Sequence, residues 1–233
     1  MDNLQVGRHI SGQFNEDLER VINNVMHMGG LVEKQLSDAL ISVGNADEFL
    51  AQQVLSNDYQ INAYEVSIDD DCTRIIAKRQ PAAGDLRLIM AVVKTIADLE
   101  RIGDEAEKIA RVTLESFSSQ QQGLLLNLDN LGRRVLEFLQ KTLDAFTRMD
   151  VDNAIEIHQT DDSINREYEA LMRQLMTYMM EDPRSIPQIM TVIWSARALE
   201  RIGDRCQNIC EYIIYFVKGK SVRHITAEDI KKI

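Results

Sequence analysis

A chain of 233 residues with 45% hydrophobic side chains can bury one large core or two of ordinary size. Gly 11 and Pro 3 are too few for a turn-rich β fold and favour helices. A net charge of -11 argues against non-specific binding of nucleic acid and against direct attachment to an anionic membrane, since both need a basic face.

Residues 1–14 hold no basic stretch followed by an apolar run, so no signal peptide is expected. The longest apolar run, residues 212–217, is far too short to span a bilayer. Cys72, Cys206 and Cys210 are odd in number and lack a CxxC spacing, which suits a reducing compartment. The expected location is therefore cytoplasmic. Cys206 and Cys210, one helical turn apart, read as core residues.

Residues 1–13 read as a frayed arm. From Phe14 the apolar residues recur at helical spacing (Phe14, Leu18, Val21, Val25, Met28, Val32, Leu36, Leu40, Val43), which predicts one long amphipathic helix. Gly29 and Gly30 in its middle mark a weak point or a close contact. Gly44 and Asn45 end it, with Asn45 as the N-cap of a second helix over residues 46–78. Gln80-Pro81 stops that helix, because the residue before proline disfavours helical backbone. A third helix is expected over residues 85–116. The polar, Gln-rich segment 118–123 reads as a linker.

The second half repeats this plan. A helix is expected over residues 124–148, and Asp150 caps the next, over 151–180. Asp182-Pro183 breaks the chain. Ser185 and Pro187 open a last helix that runs to residue 218. The tail, 219–233, holds Thr226-Ala227-Glu228-Asp229, a weak capping signal.

The hexapeptide Leu99-Glu100-Arg101-Ile102-Gly103-Asp104 returns unchanged as Leu199-Glu200-Arg201-Ile202-Gly203-Asp204, at an offset of 100. Ile89, Met90, Val92 and Ile109 match Ile189, Met190, Val192 and Ile209 at the same offset. Ala51, Asp58, Ile61 and Asn62 match Ala154, Asp161, Ile164 and Asn165 at an offset of 103. The slip falls at Pro81 and Pro183, where a change of loop length is tolerated. The expected fold is all-α: two tandem three-helix bundles, six long antiparallel helices in all, related by an internal repeat. The first bundle takes residues 1–117, the linker 118–123, the second bundle 124–218 and the tail 219–233.

Positions i and i+4 are neighbours on a helix, so Glu100 lies beside Asp104 and Glu200 beside Asp204. Both pairs fall off the apolar stripe Leu199, Ile202, Cys206, Ile209, Ile213 and its counterpart. They read either as solvated acids, paired with Arg101, Arg201 and Lys108, or as a cation site. Duplication of the motif favours the second reading, and so does Asn208 standing where the first half has Lys108. If Asp58, Asn62, Asp161 and Asn165 face these acids, each bundle offers an oxygen-only cluster suited to hard divalent cations, iron or manganese. Gly103 and Gly203, inside helices where Gly costs about 1 kcal/mol relative to Ala, point to close packing.

Other chemistry is poorly supported. His9, His27, His158 and His224 are scattered and none forms an ExxH pair, which counts against a ferritin-type di-iron oxidase. No phosphate-binding Gly loop, GxSxG or spaced Cys–His pair occurs. His158 reads as a helix-surface histidine and Trp194 as a core or interface residue.

With the duplicated LERIGD, the segment QPAAGDLRLIM before its first copy and the matched Asp-x-x-Ile-Asn segments, the chain resembles the PhoU family over nearly its whole length. Arg87 has no counterpart in the second half, so any role for it belongs to the first. The resemblance implies a protein without enzymatic activity or organic cofactor: a cytoplasmic negative regulator of the phosphate-starvation response. It further implies an adaptor between the ATPase subunit of the phosphate ABC transporter and a sensor histidine kinase. A homodimer is implied, as is membrane contact only through partners and no nucleic acid. Carried over, Glu100, Asp104, Glu200 and Asp204 are the candidate ligands of divalent or iron-type metal ions, with Asp58, Asn62, Asp161 and Asn165 second in rank. A carboxylate-bridged metalloenzyme and a plain helical scaffold without metal are the alternatives.

Overall fold

The computed structural model describes residues 12–115, 122–160 and 162–223. All regular structure among them is helical: α1 Gly12–Asn45, α2 Glu48–Asn57, α3 Tyr59–Arg79, α4 Ala83–Ala110, α5 Gln122–Arg148, α6 Val151–Thr160, α7 Asp162–Glu181 and α8 Ile186–Lys218. Single 3-10 turns follow α4 and precede α8.

The apolar spacing of α1 becomes a continuous buried stripe from Phe14 to Val43. Ala46 then takes a positive φ of 52°, and Asp47, not Asn45, caps α2 by accepting the amide of Leu50 at 3.0 Å. Met149 does the same between α5 and α6 with φ 48°, and Asp150 accepts the amide of Asn153 at 3.0 Å, as its position in the sequence suggests. The helix expected over 46–78 is interrupted at Asp58, so it is two helices, α2 and α3; α6 and α7 divide at the matching place. α4 ends at Ala110 and passes into the 3-10 turn rather than continuing to 116.

α4 and α8, the third helices of the two halves, lie side by side at the centre. The cross-links Arg87–Phe216, Asp98–Tyr212, Asp98–Arg205 and Glu105–Arg201 run in opposite order along the two helices, so they are antiparallel. α1 packs on α4, α5 on α8, and α1 on α5. The last contact is close because of glycine. A Cβ on Gly29 would lie 2.9 Å from Leu143, and one on Gly132 would collide with Leu40. The pair α2–α3 covers α1 and α4, while α6–α7 covers α5 and α8. The buried residues Val32, Leu99, Leu139 and Leu199 thus belong to one hydrophobic core that runs through both halves.

Among the described residues no helix is long and apolar enough to cross a membrane. Cys72, Cys206 and Cys210 are buried and form no disulfide, and burial pushes the Cys72 and Cys210 thiols up to about 12, which leaves them inert. Two minor readings need correction. Of the two readings of Trp194, core and interface, its 64% exposure removes the first. His158 is not on the open surface but lies half-buried between α6 and α8, 3.5 Å from Glu211. The capping signal at 226–229 lies outside the described residues.

Candidate functional site: two acid pairs and the seam between the halves

The first acid pair sits on the side of α4 that faces the junction of α2 and α3. Asp58 turns inward there and is 7% exposed. Its Oδ1 accepts from Gln35 of α1 at 2.8 Å and its Oδ2 from Asn62 at 3.0 Å. Gln35 also donates to the carbonyl of Gly103 at 3.2 Å. A Cβ at Gly103 would come within 3.1 Å of Ile61 and 3.2 Å of Asp58 Oδ1. Gly103 therefore serves close packing, as its place inside a helix suggests, and it lets the buried carboxylate lie against α4.

Glu100 and Asp104 are half-buried on the rim of this junction and have neither a hydrogen bond nor an ion pair among the described residues. Lys108 pairs with Glu105 at 3.0 Å rather than with Asp104, and Arg101 lies 3.8 Å from Asp98. Burial raises the Glu100 carboxyl above its ordinary value, and the charges of Asp104, Glu65 and Asp58 raise it further. Asp104 is raised by burial and then by Asp58, with the charge of Lys108 opposing. Asp58 thus faces the acids, as its spacing suggests, whereas Asn62 is exposed and spends its amide on Asp58.

The second pair has different company. Glu200 is bound by Arg197 at 2.7 Å. Asp204 is raised by burial, but the positive charges of Arg197, Arg205 and Arg201 pull it back. Asn165 is half-buried, and Asp161 lies outside the described residues. The repeat has therefore preserved the carboxylates while changing the charge around them.

The arginines of the motif act on its acids only through their charge, and their closest acidic partners are others. In the seam between α4 and α8, Asp98 is 2% exposed. It accepts the Tyr212 hydroxyl at 2.9 Å and Arg205 at 3.4 Å. Burial raises its carboxyl, opposed by Tyr212, Arg205, Asn208 and Arg101, while burial and Asp98 together raise the Tyr212 hydroxyl. Arg201 crosses to Glu105 at 3.3 Å. The sequence reading missed Gln35, Asp98, Glu105, Arg205 and Tyr212. One signal was available: at an offset of 100, Asp98 corresponds to Ala198 and Glu105 to Arg205, a loss and a reversal of charge beside an unchanged motif.

As a metal site the arrangement fits in part. The unpaired, mutually repelling carboxylates of Glu100 and Asp104 are donors of the hard oxygen type. No group of three or more His, Cys, Asp or Glu side chains among the described residues is placed to hold an ion, and both Asp58 oxygens are occupied by amides.

The described residues thus form a helical tandem repeat with an acid pair in each half, and this is the architecture that the comparisons with known proteins match. The PhoU domain family matches residues 25–113 and 128–213, one match in each half. The chain is 55% identical over its full length to the phosphate-specific transport system accessory protein PhoU of Serratia marcescens, covering 96% of that protein. It is 54% identical to the Escherichia coli protein of the same description, covering 97% of it. In structure it resembles PhoU from Pseudomonas aeruginosa, with a TM-score of 0.83 and 47% identity over 89% of this chain and 100% of that one. The phosphate transport system regulatory protein PhoU from Streptococcus pneumoniae gives a TM-score of 0.81 at 29% identity, over 90% of this chain and 99% of that one. The chain belongs to the PhoU family of phosphate-transport accessory proteins, which are regulatory and non-enzymatic, and carries two PhoU domains in tandem.

Proposed function

We propose that this chain is a cytoplasmic negative regulator of the phosphate-starvation response. It joins the ATPase subunit of the phosphate ABC transporter to a sensor histidine kinase, and it reaches the membrane only through these partners. The observation that carries the reading is the match of both halves to the family, with the acid pair retained in each half. Acids on the rim of a rigid helical body suit docking to basic partner surfaces, because opposed charge speeds encounter and selects partners. A homodimer would present each acidic face twice.

Glu100 and Asp104 are the first candidates to hold a divalent or iron-type cation, because no ion pair among the described residues neutralises them. Glu200 and Asp204, already balanced by arginines, rank behind. Such an ion would relieve the repulsion at the rim. Elemental analysis of protein prepared without chelators reads this directly.

The function is tested by replacing Glu100, Asp104, Glu200 and Asp204 with Ala and assaying a phosphate-repressed reporter in high phosphate. Repression is expected to fail while protein levels stay normal. Unchanged repression would remove the acids from the mechanism.

A further inference from the structure

At the pole where α1 begins and α3 ends, a pocket of about 350 Å³ is bordered by Gln13, Asp17, Arg20, Arg74, Lys78 and Arg79. Four cations and one carboxylate line it, an excess of positive charge on a chain whose net charge is -11. The cations come from two helices and no sequence motif announces them. Asp17 holds two of them: its Oδ1 accepts Arg20 at 2.8 Å and its Oδ2 accepts Arg79 at 3.2 Å. Asp71, just outside this lining on α3, holds Arg74 and lies 3.5 Å from Arg20 Nε. The two carboxylates therefore gather three guanidiniums and offset two of their charges, which with Lys78 leaves a positive excess at the pocket. Lys78 has no partner among the described residues. Exposed ion pairs stabilise a fold little, so the row adds little to stability that would offset four cations set side by side.

We propose that this pocket binds a small tetrahedral oxyanion, and that the ion is inorganic phosphate. Guanidinium forks match phosphate oxygens two by two, and a lysine adds a mobile point charge. Each arginine keeps N–H donors beyond those its carboxylate takes. The pocket is open enough to admit a small ion together with water. Asp17 retains lone pairs after accepting two N–H groups. It can take the hydrogen bond of a protonated phosphate oxygen. Sulfate has no such proton and would set an oxygen against the carboxylate. The choice of phosphate among oxyanions rests on the regulatory reading above; the affinity for an oxyanion does not.

The test is calorimetric titration of the full chain with inorganic phosphate, sulfate and glycerol phosphate at matched ionic strength. Saturable one-site binding of inorganic phosphate is expected, with sulfate weaker by about tenfold or more. Arg20→Gln and Lys78→Gln are each expected to weaken phosphate binding about tenfold. Lys78→Gln removes no ion pair found among the described residues, so its fold is secure, and circular dichroism checks both variants. Absence of saturable phosphate binding, an affinity untouched by either substitution, or sulfate bound as tightly as phosphate would each overturn the proposal. Tighter binding of glycerol phosphate would overturn the free ion in favour of a phosphate monoester. Phosphate binding beside a failed reporter assay would separate this pocket from the regulatory reading.

Discussion

Glycine at two places in the chain has opposite consequences. Gly30 faces open space, with nothing within 4 Å of where a methyl group would sit, whereas Gly103 abuts Ile61 and the pinned carboxylate of Asp58. Gly30→Ala is therefore expected to stabilise the fold by up to about 1 kcal/mol through helix propensity. Gly103→Ala is expected to destabilise it by about 1 kcal/mol, since crowding a packed site outweighs the same gain. Denaturant midpoints measure both, and a stabilising Gly103→Ala would refute the close approach. The acid pair gives a pH signature. Glu100 and Asp104 are raised in the folded state above their unfolded values near 4. Across the window from those values up to the raised ones, the folded chain binds more protons than the unfolded chain. Stability then falls as pH rises, and the penalty is complete at neutral pH. The combination Glu100→Gln with Asp104→Asn is expected to raise Tm at pH 7 by about one degree, the partly exposed pair being worth a few tenths of a kcal/mol. The gain should vanish below about pH 4, where both states are protonated; thermal melts at the two pH values decide it.

At the level of helices, α4 and α8 meet in an apolar seam flanked by a polar set in which Asp98 and Glu105 are buried and their arginines reach solvent. Removing one member of such a set leaves its partners desolvated and unpaired. Asp98→Ala is expected to cost about 3 kcal/mol, and Tyr212→Phe about 1.5 kcal/mol. The double substitution should cost less than the sum, because the same hydrogen bond is lost in both; strict additivity in urea denaturation would show that the two do not interact. The helices themselves were legible from apolar period, prolines and glycines, since those signals are local. Their caps and breaks were less so. Asp47 outcompetes Asn45 because the turn needs an extra residue with positive φ at Ala46. At the break Asp58 turns inward to Gln35, a polar residue from another helix, which the period of α2 and α3 cannot register.

Across the whole molecule, the duplicated hexapeptide located the acid rim and the family without any coordinates, because a repeat is visible wherever it folds. It could not show that the halves share one core, or that the two acid pairs differ in their surroundings. The shared core and seam arise from contacts between residues about 100 positions apart, beyond the reach of any spacing rule. The arginines around the second pair were within reach, since Arg197 stands three residues before Glu200. Gln35 against Asp58, and the pocket that joins Asp17 to Arg79, bring together separate helices and stayed hidden.

The seam carries a consequence for how two equivalent units recognise each other. Asp98 of α4 meets Arg205, and Glu105 of α4 meets Arg201. Were the seam formed by two copies of the first half, the place of Arg205 would be taken by Glu105, and two acids would confront each other. Were it formed by two copies of the second half, Ala198 would replace Asp98 and Arg205 would replace Glu105, leaving arginines crowded together with no acid between them. The loss of one acid and the reversal of another between the repeats thus favour the pairing of unlike halves across this seam, even though the arginine of the motif is the same in both.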